Sequence, residues 1–174
     1  MDLGDITDQL IEFLEESAVD PLLYSVVFFI YVVLSNTLTP TPLEAGLVIN
    51  LQGPPPLWVR ALIVAAAMTA GASLLFLLGS RAEGRLENWA KKYKLFGTIL
   101  GLLRKFVAKT RYWGLLVILS IPGMVDTVPL YLFSLFNKKG VLEFRYFAVT
   151  IFVAGILRTA IFYTILFLFG VTIL

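Results

Sequence analysis

Two long apolar segments constrain what this chain can fold into. Residues 57–79 and 145–174 each exceed the roughly 20 residues that carry a helix across a bilayer. The whole chain is 59% apolar and 15% charged, whereas an average soluble domain is roughly 45–50% apolar and about 25% charged. A soluble domain of this composition would lack the polar side chains to cover its surface. The sequence therefore predicts an all-α, multi-pass integral membrane protein, which we expect in the plasma membrane.

Two further apolar segments are interrupted by proline. Residues 21–38 run into Pro40 and Pro42, and residues 112–121 run into Pro122, Gly123 and Pro129. Proline removes a helical donor and clashes with the preceding turn. Backbone freed in this way at membrane depth is tolerated only where protein or a wet cavity surrounds it. We therefore expect two re-entrant hairpins, at 21–53 and 112–137, with kinked spans as the alternative.

The order of these segments divides the chain into two similar halves. Each hairpin is followed by a short turn, GPPP or NKKG, and then by a full span. If each hairpin returns to its own side of the membrane, the two hairpins enter from opposite faces. That arrangement is an inverted repeat, which transporters use to build a site near the midplane. We expect residues 21–174 to form this single transmembrane domain, after an acidic N-terminal segment at 1–20.

Charge predicts the orientation of the domain. Residues 1–20 hold seven of the twelve acids and no lysine or arginine, whereas residues 81–111 hold nine basic residues. Cytoplasmic loops carry the excess of basic residues, so the stretch 80–111 is predicted to be cytoplasmic and both termini to be outside. Arg60, near the outer end of its span, fits this pattern poorly. The acidic start is also unlike the basic start of a secretory signal.

The basic stretch 80–111 has the pattern of amphipathic helices. Leu86, Trp89, Tyr93 and Phe96 are three to four residues apart, with charges between them. Such helices lie in the membrane interface, where aromatic rings reach the headgroups. We expect contact with anionic headgroups, and the residues concerned are Arg81, Arg85, Trp89, Lys91 and Lys92. Because the stretch lies between spans, nucleic acid is not an expected partner, and a homo-oligomer remains open.

Three charged residues at membrane depth are the candidates for a transport pathway. Glu44 and Asp126 each follow a proline in a broken segment, and Arg158 lies in the middle of the last span. Charges at this depth are costly and are usually functional. A pathway would carry protons or a cation past the two carboxyl groups, while Arg158 pairs with a carboxylate or binds a phosphate headgroup. The alternatives are helix capping by the acids and a purely structural ion pair.

Two asparagines near the first break are further candidates for the pathway, whereas the absence of certain residue types excludes several kinds of chemistry. Asn36 and Asn50 flank the break and either join the pathway or satisfy freed backbone groups. The chain has no cysteine and no histidine, which excludes disulfides, thiol chemistry and a histidine base. The acids are scattered, whereas oxygen-ligand metal sites cluster them. We expect no metal, no cofactor and no enzymatic activity.

Three blocks resemble the DedA family, also called the VTT or SNARE-associated Golgi protein-like family. TPTPLEAGLVINLQG (39–53) is similar to its proline-rich segment, and LLGSRAEGRLENWAKKYKLF (77–96) resembles its glycine- and arginine-rich end of a span. IPGMVDTVPLYLF (121–133) resembles its second proline-glycine segment. The likeness covers roughly residues 36–170 and lies in the order and spacing of the motifs. Family members commonly carry an arginine on either side of the second-block proline, where this chain has Leu119 and Val125.

The resemblance implies two facing re-entrant helices in an inverted repeat. It also implies work on lipids, such as recycling of phospholipid or polyprenyl phosphate, or scrambling, together with proton dependence. We therefore expect a membrane lipid transporter. The missing arginine pair points to a divergent branch, and the related small multidrug export-like group fits as well. An ion- or proton-coupled exporter and a structural or assembly factor of the membrane are the alternatives.

Overall fold

The computed structural model describes residues 3–17, 20–38, 42–49, 53, 55–92, 105, 109–135 and 143–170, with the backbone alone for 3–8, 10, 78–92, 128, 132 and 135. The helices in these ranges are α1 (Leu3–Ser17), α2 (Pro21–Thr37), α3 (Glu44–Ile49), α4 (Leu57–Lys92), α5 (109–119), α6 (Thr127–Leu135) and α7 (Phe144–Leu168). The described residues contain no strand, so the predicted all-helical class is confirmed.

Two helices are long and apolar enough to cross a membrane. They are the 21 residues Leu57–Leu77 of α4 and the 25 residues Phe144–Leu168 of α7. Only 44% and 33% of their most apolar windows are buried inside the protein. The core helix of a soluble domain would be mostly buried, whereas Val149, Phe152 and Ile161 of α7 are exposed. Contiguous apolar surface of this kind marks a membrane or a partner.

Helices α4 and α7 form an antiparallel pair that runs through the centre. Phe147, early in α7, packs on Phe76 with ring centroids 4.7 Å apart, and Gly155 lies against Ala65. Tyr163, late in α7, accepts a hydrogen bond from Arg60 near the start of α4. A Cβ on Gly155 would come within 2.7 Å of the Ala65 Cα. Small residues are needed where helix backbones approach this closely.

The first broken segment folds back on itself. Asp20 caps α2 by accepting from the amides of Leu22 and Leu23, and the helix begins with Pro21, which fits the first turn. After the break, the Tyr31 hydroxyl donates to the Pro42 carbonyl at 3.2 Å and the Tyr24 hydroxyl donates to the Gly46 carbonyl at 2.9 Å. Because residue numbers fall along α2 as they rise after the break, α3 runs antiparallel to α2.

Helix α2 runs parallel to the first part of α4. Tyr24 lies near Arg60, and Asn36 lies against Gly71. Twelve residues of α2 therefore accompany eleven residues of α4 in the same direction.

The second broken segment also consists of two arms. The ring of Tyr112 lies 5.8 Å from that of Tyr146, and residues 116–122 lie beside Leu157 and Ile161, so α5 runs parallel to α7. Helix α6 begins where α2 ends, since Thr127 donates to the Ser35 carbonyl and Tyr131 donates to the Thr37 carbonyl. It therefore continues in the direction of α2 and α4, opposite to α5. The two breaks meet in the middle of the protein.

Several boundaries differ from those expected from the sequence. Helix α4 does not end at residue 79 but continues to Lys92, because residues 80–92 contain no proline and many strong helix formers. The end of the span and the first part of the basic stretch are thus one helix. Helix α7 ends at Leu168 instead of running to residue 174. Gly170 closes it with a φ of 76°, a left-handed conformation that glycine adopts easily.

The acidic N-terminal segment forms a helix that the sequence reading did not predict. In α1, Leu14 is fully buried and Ile11 is partly buried, while Glu12, Glu15 and Glu16 are exposed. Leu14 lies against Gly46, so α1 covers the first hairpin.

Candidate functional site

A buried guanidinium lies at the junction of the two breaks. Arg158 is fully buried. Its Nε donates to Glu44 Oε1 at 2.6 Å and its Nη2 donates to Glu44 Oε2 at 3.1 Å, which makes a bidentate pair. Its Nη1 donates to Asp126 Oδ1, and its Nη2 also donates to the Met124 carbonyl at 2.7 Å. Four of the five guanidinium N–H groups therefore have partners among the described residues.

The chain breaks place both carboxylates. Glu44 is the first residue of α3, and Asp126 immediately precedes α6. Each acid thus begins the short helix that follows a break, and only 6% and 4% of their surfaces are exposed. Arg158 lies 14 residues after the start of α7, about 21 Å along that helix at 1.5 Å per residue. The structure brings together the three charged residues singled out from the sequence.

The charges of this cluster do not balance. With all three groups ionised, one positive and two negative charges leave a net charge of −1 in a buried site. An uncompensated charge in such a place is costly. One proton or one monovalent cation would neutralise the cluster. Alternatively, an anion could replace a carboxylate on Arg158 if the carboxylates were protonated.

Arg158 also has a structural role. The turn at residues 120–126 leaves backbone groups without helical partners, and the guanidinium satisfies the Met124 carbonyl. The side chain therefore ties α3, the second break and α7 together. The geometry alone fits both the structural ion pair and the functional site that the sequence left open.

The structure explains the basic residue at the unexpected end of α4. Arg60 is 2% exposed and donates to the carbonyl oxygens of Gly53 and Pro55 and to the Tyr163 hydroxyl. Its charge is thus held by the loop before α4 and by α7, away from solvent. The sequence did not predict these contacts of Arg60. The one indication was that a basic residue at this end of α4 does not fit the charge pattern. Tyr163 gave no signal.

Two asparagines were also predicted to lie on the pathway, and the structure describes one of them, Asn36. Asn36 is buried against α4, and neither its amide nitrogen nor its amide oxygen has a hydrogen-bond partner among the residues that the structure describes. It lies next to Ser35, whose carbonyl accepts from Thr127 beside Asp126, so one hydrogen bond connects its segment of α2 to that of the Arg158 cluster. Asn50 lies outside the described residues.

Three of the predicted turn residues lie in the breaks, one lies inside a helix, and one is outside the described residues. Pro42 lies between α2 and α3, and Pro122 lies in the second turn beside Gly123, whose φ is 77°. Pro40 lies outside the described residues. Pro129 does not mark a break, because it is the third residue of α6. Amides in the first helical turn have no intrahelical acceptor, so proline is tolerated there.

The residues expected to contact headgroups lie in the last part of α4. Arg81, Arg85, Trp89, Lys91 and Lys92 are helical, but their side chains fall outside what the structure describes. Within the described residues, no cluster of three or more acidic side chains has the arrangement of a metal site.

Comparison with known proteins adds no relative. No protein-family model matches the chain, no curated protein is similar enough to be matched, and no solved structure matches. The resemblance to the DedA family therefore stays a hypothesis that rests on the three motif blocks, and function is argued from the geometry.

Proposed function

We propose that this chain is a multi-pass membrane protein that moves a lipid with an anionic headgroup across the bilayer, coupled to protons. One observation carries the proposal: a fully buried arginine is held by two carboxylates where two interrupted helices meet. Discontinuous helices that meet near the midplane are the usual sites of secondary transporters.

The proposed topology follows from the helix directions. Helices α2 and α3 are taken as a hairpin that enters from the outer face, and α5 and α6 as one that enters from the cytoplasm. The antiparallel course of α3 on α2, and the meeting of α6 with the end of α2, support this inverted repeat. Exposed Trp58 at the start of α4, and exposed Trp113 and Tyr146 at the starts of α5 and α7, suit the two interfaces.

The proposed mechanism uses the charge of the cluster. With one carboxyl group protonated, the cluster of Glu44, Asp126 and Arg158 is neutral. If a lipid phosphate approaches, protonation of the second carboxyl group frees the guanidinium to bind the phosphate as a fork. The monoanionic phosphate and the extra proton then enter together, and the buried site stays neutral. Glu44 is the proposed protonatable group. It makes the bidentate pair with Arg158, so its protonation would release two guanidinium N–H groups for the phosphate.

A second candidate is favoured by the net charge of −1. A cationic small molecule, exchanged for protons, would neutralise the same two carboxylates. Such an exporter would use the cluster without moving lipid.

A dithionite assay on reconstituted vesicles separates these candidates. Fluorescent phospholipid in the inner leaflet should become accessible to dithionite faster with the protein than in empty vesicles. Proton flux that depends on a cationic drug, with no lipid exposure, would instead support the exporter. If neither lipid exposure nor drug-dependent proton flux is detected, both candidates are contradicted and a structural or assembly role is favoured.

A further inference from the structure

An apolar groove lies on the surface of the protein, beside the second break. It has a volume of about 390 Å³. Its walls are residues 116–122 on one side and α7 on the other, through Leu116, Val117, Ser120, Ile121, Pro122, Leu157 and Ile161. Val117, Ile121, Leu157 and Ile161 are between 40% and 59% exposed, so the groove opens away from the protein.

The lining decides what kind of group fits the groove. Ser120 is the polar side chain in it, and its hydroxyl already donates to the Leu116 carbonyl at 2.7 Å. A polar ligand would therefore find no free donor on these side chains, and its one acceptor would be the largely buried Ser120 hydroxyl oxygen. A hydrocarbon occupant suits this lining, because it brings no polar groups that would be left unpaired.

The groove and the Arg158 cluster share their walls. Leu157 lines the groove and is followed directly by Arg158, which turns into the interior. Across the groove, Ile121 and Pro122 precede Met124, whose carbonyl accepts from Arg158. An apolar groove thus lies one layer of residues away from a buried cation. A membrane lipid has the same arrangement, with a hydrocarbon chain beside an anionic headgroup.

We propose that the groove holds one hydrocarbon chain of an anionic membrane lipid whose phosphate is recognised by the Arg158 cluster. This inference rests on the proposed lipid transport. It adds a binding site for the hydrocarbon chain of the substrate, which the Arg158 cluster does not contact. The chain stays in the membrane, in the groove, while the headgroup enters the interior. The groove then selects for an extended chain, and the guanidinium selects for the phosphate.

Photolabelling tests this directly. The full chain is reconstituted in phosphatidylcholine vesicles with phosphatidic acid that carries a diazirine midway along one acyl chain, and labelled peptides are identified by mass spectrometry. Label is expected to concentrate on residues 116–122 and 157–161. Diacylglycerol with the same diazirine chain, which lacks the phosphate, should label the exposed apolar faces evenly. Even labelling by both probes would overturn the proposal.

Filling the groove provides the matched variants. Leu157→Trp should lose most of the label from phosphatidic acid, and Ile161→Trp is the second choice if the first variant folds poorly. Val149→Trp adds the same bulk to an exposed position of α7 outside the groove, so it should keep the labelling pattern. Equal labelling in Leu157→Trp and Val149→Trp would contradict the groove site.

Lipid flux measured in the same vesicles distinguishes the two proposals. Groove-specific labelling without flux in the unsubstituted protein would retain the groove as a lipid site and reject transport. Flux that Leu157→Trp leaves unchanged would retain transport and reject the groove.

Discussion

A guanidinium that is completely buried must find its partners inside the protein, and Arg158 finds them on two separate segments, the start of α3 and the second break. Glu44, Asp126 and the Met124 carbonyl come from positions 114, 32 and 34 residues away in the sequence. The same contacts that hold the breaks together also make a site with an uneven charge. Stability and proposed function therefore depend on the same three side chains.

Removing the cation should destabilise the fold more than removing the whole cluster. Arg158→Leu leaves two buried carboxylates without their counter-charge, which we expect to cost about 3–5 kcal/mol. The triple variant Arg158→Leu, Glu44→Gln, Asp126→Asn removes all three charges and should regain much of that loss. Thermal melting in detergent gives the comparison. Equal melting temperatures for Arg158→Leu and the unsubstituted chain would contradict the contacts described for this residue.

The two buried arginines show how far single residues could be predicted. Arg158 is too far from either end of its span to reach water, and Glu44 and Asp126 are the acids in the broken segments, so their pairing could be expected from depth alone. Arg60 has backbone carbonyls and Tyr163 as partners. Every residue has a carbonyl, and Tyr163 is 103 residues away, so no pattern in the sequence identified these contacts.

At the scale of elements, the closest helix contact gives a sharp test of the packing. Gly155→Ala would place its Cβ 2.7 Å from a backbone atom of Ala65, and overpacking of this kind typically costs about 1–3 kcal/mol. Gly71→Ala is the matched control, since its nearest contact would be 3.3 Å. A larger drop in melting temperature is expected for Gly155→Ala than for Gly71→Ala, whose Cβ would be in a tight contact with the Val33 carbonyl oxygen but not in an overlap. The reverse order would mean that α4 and α7 do not pack as described.

The existence of the elements was easier to predict than their bounds. Apolar length and proline were enough to locate α2, α4 and α7 and the interruptions near Pro42 and Pro122. They did not predict that α4 continues to Lys92, because hydropathy marks the end of the apolar part and not the end of the helix. Helix α1 was not predicted, because the interpretation of residues 1–20 used only their acidic charge. The spacing of Ile11 and Leu14, which lie on the buried face, was an available indication.

The two halves of the molecule are predicted to form an inverted repeat, and labelling of single introduced cysteines can test it, since the chain has no native cysteine. Single cysteines at Glu16 and Pro56 should react with an impermeant maleimide from outside, and one at Asn88 should react only after the membrane is opened. Lys138→Cys should behave like Lys91→Cys. Opposite-side labelling within the pair Glu16 and Pro56, or within the pair Lys91 and Lys138, would mean that the segment between them spans fully.

The pH dependence of lipid flux in Glu44→Gln vesicles tests the proposed transport site most directly. Glutamine keeps the shape of the side chain but cannot ionise, and the remaining charges of Arg158 and Asp126 cancel, so the variant should fold. We predict that its flux is lost at every pH, while its melting temperature falls far less than that of Arg158→Leu, because the amide oxygen still accepts one of the two bonds from Arg158. Glu143→Gln, the same change at an exposed position, should keep both flux and pH dependence. Unaltered flux and unaltered pH dependence in Glu44→Gln would contradict a transport role for the cluster and leave Glu44 as a structural partner of Arg158.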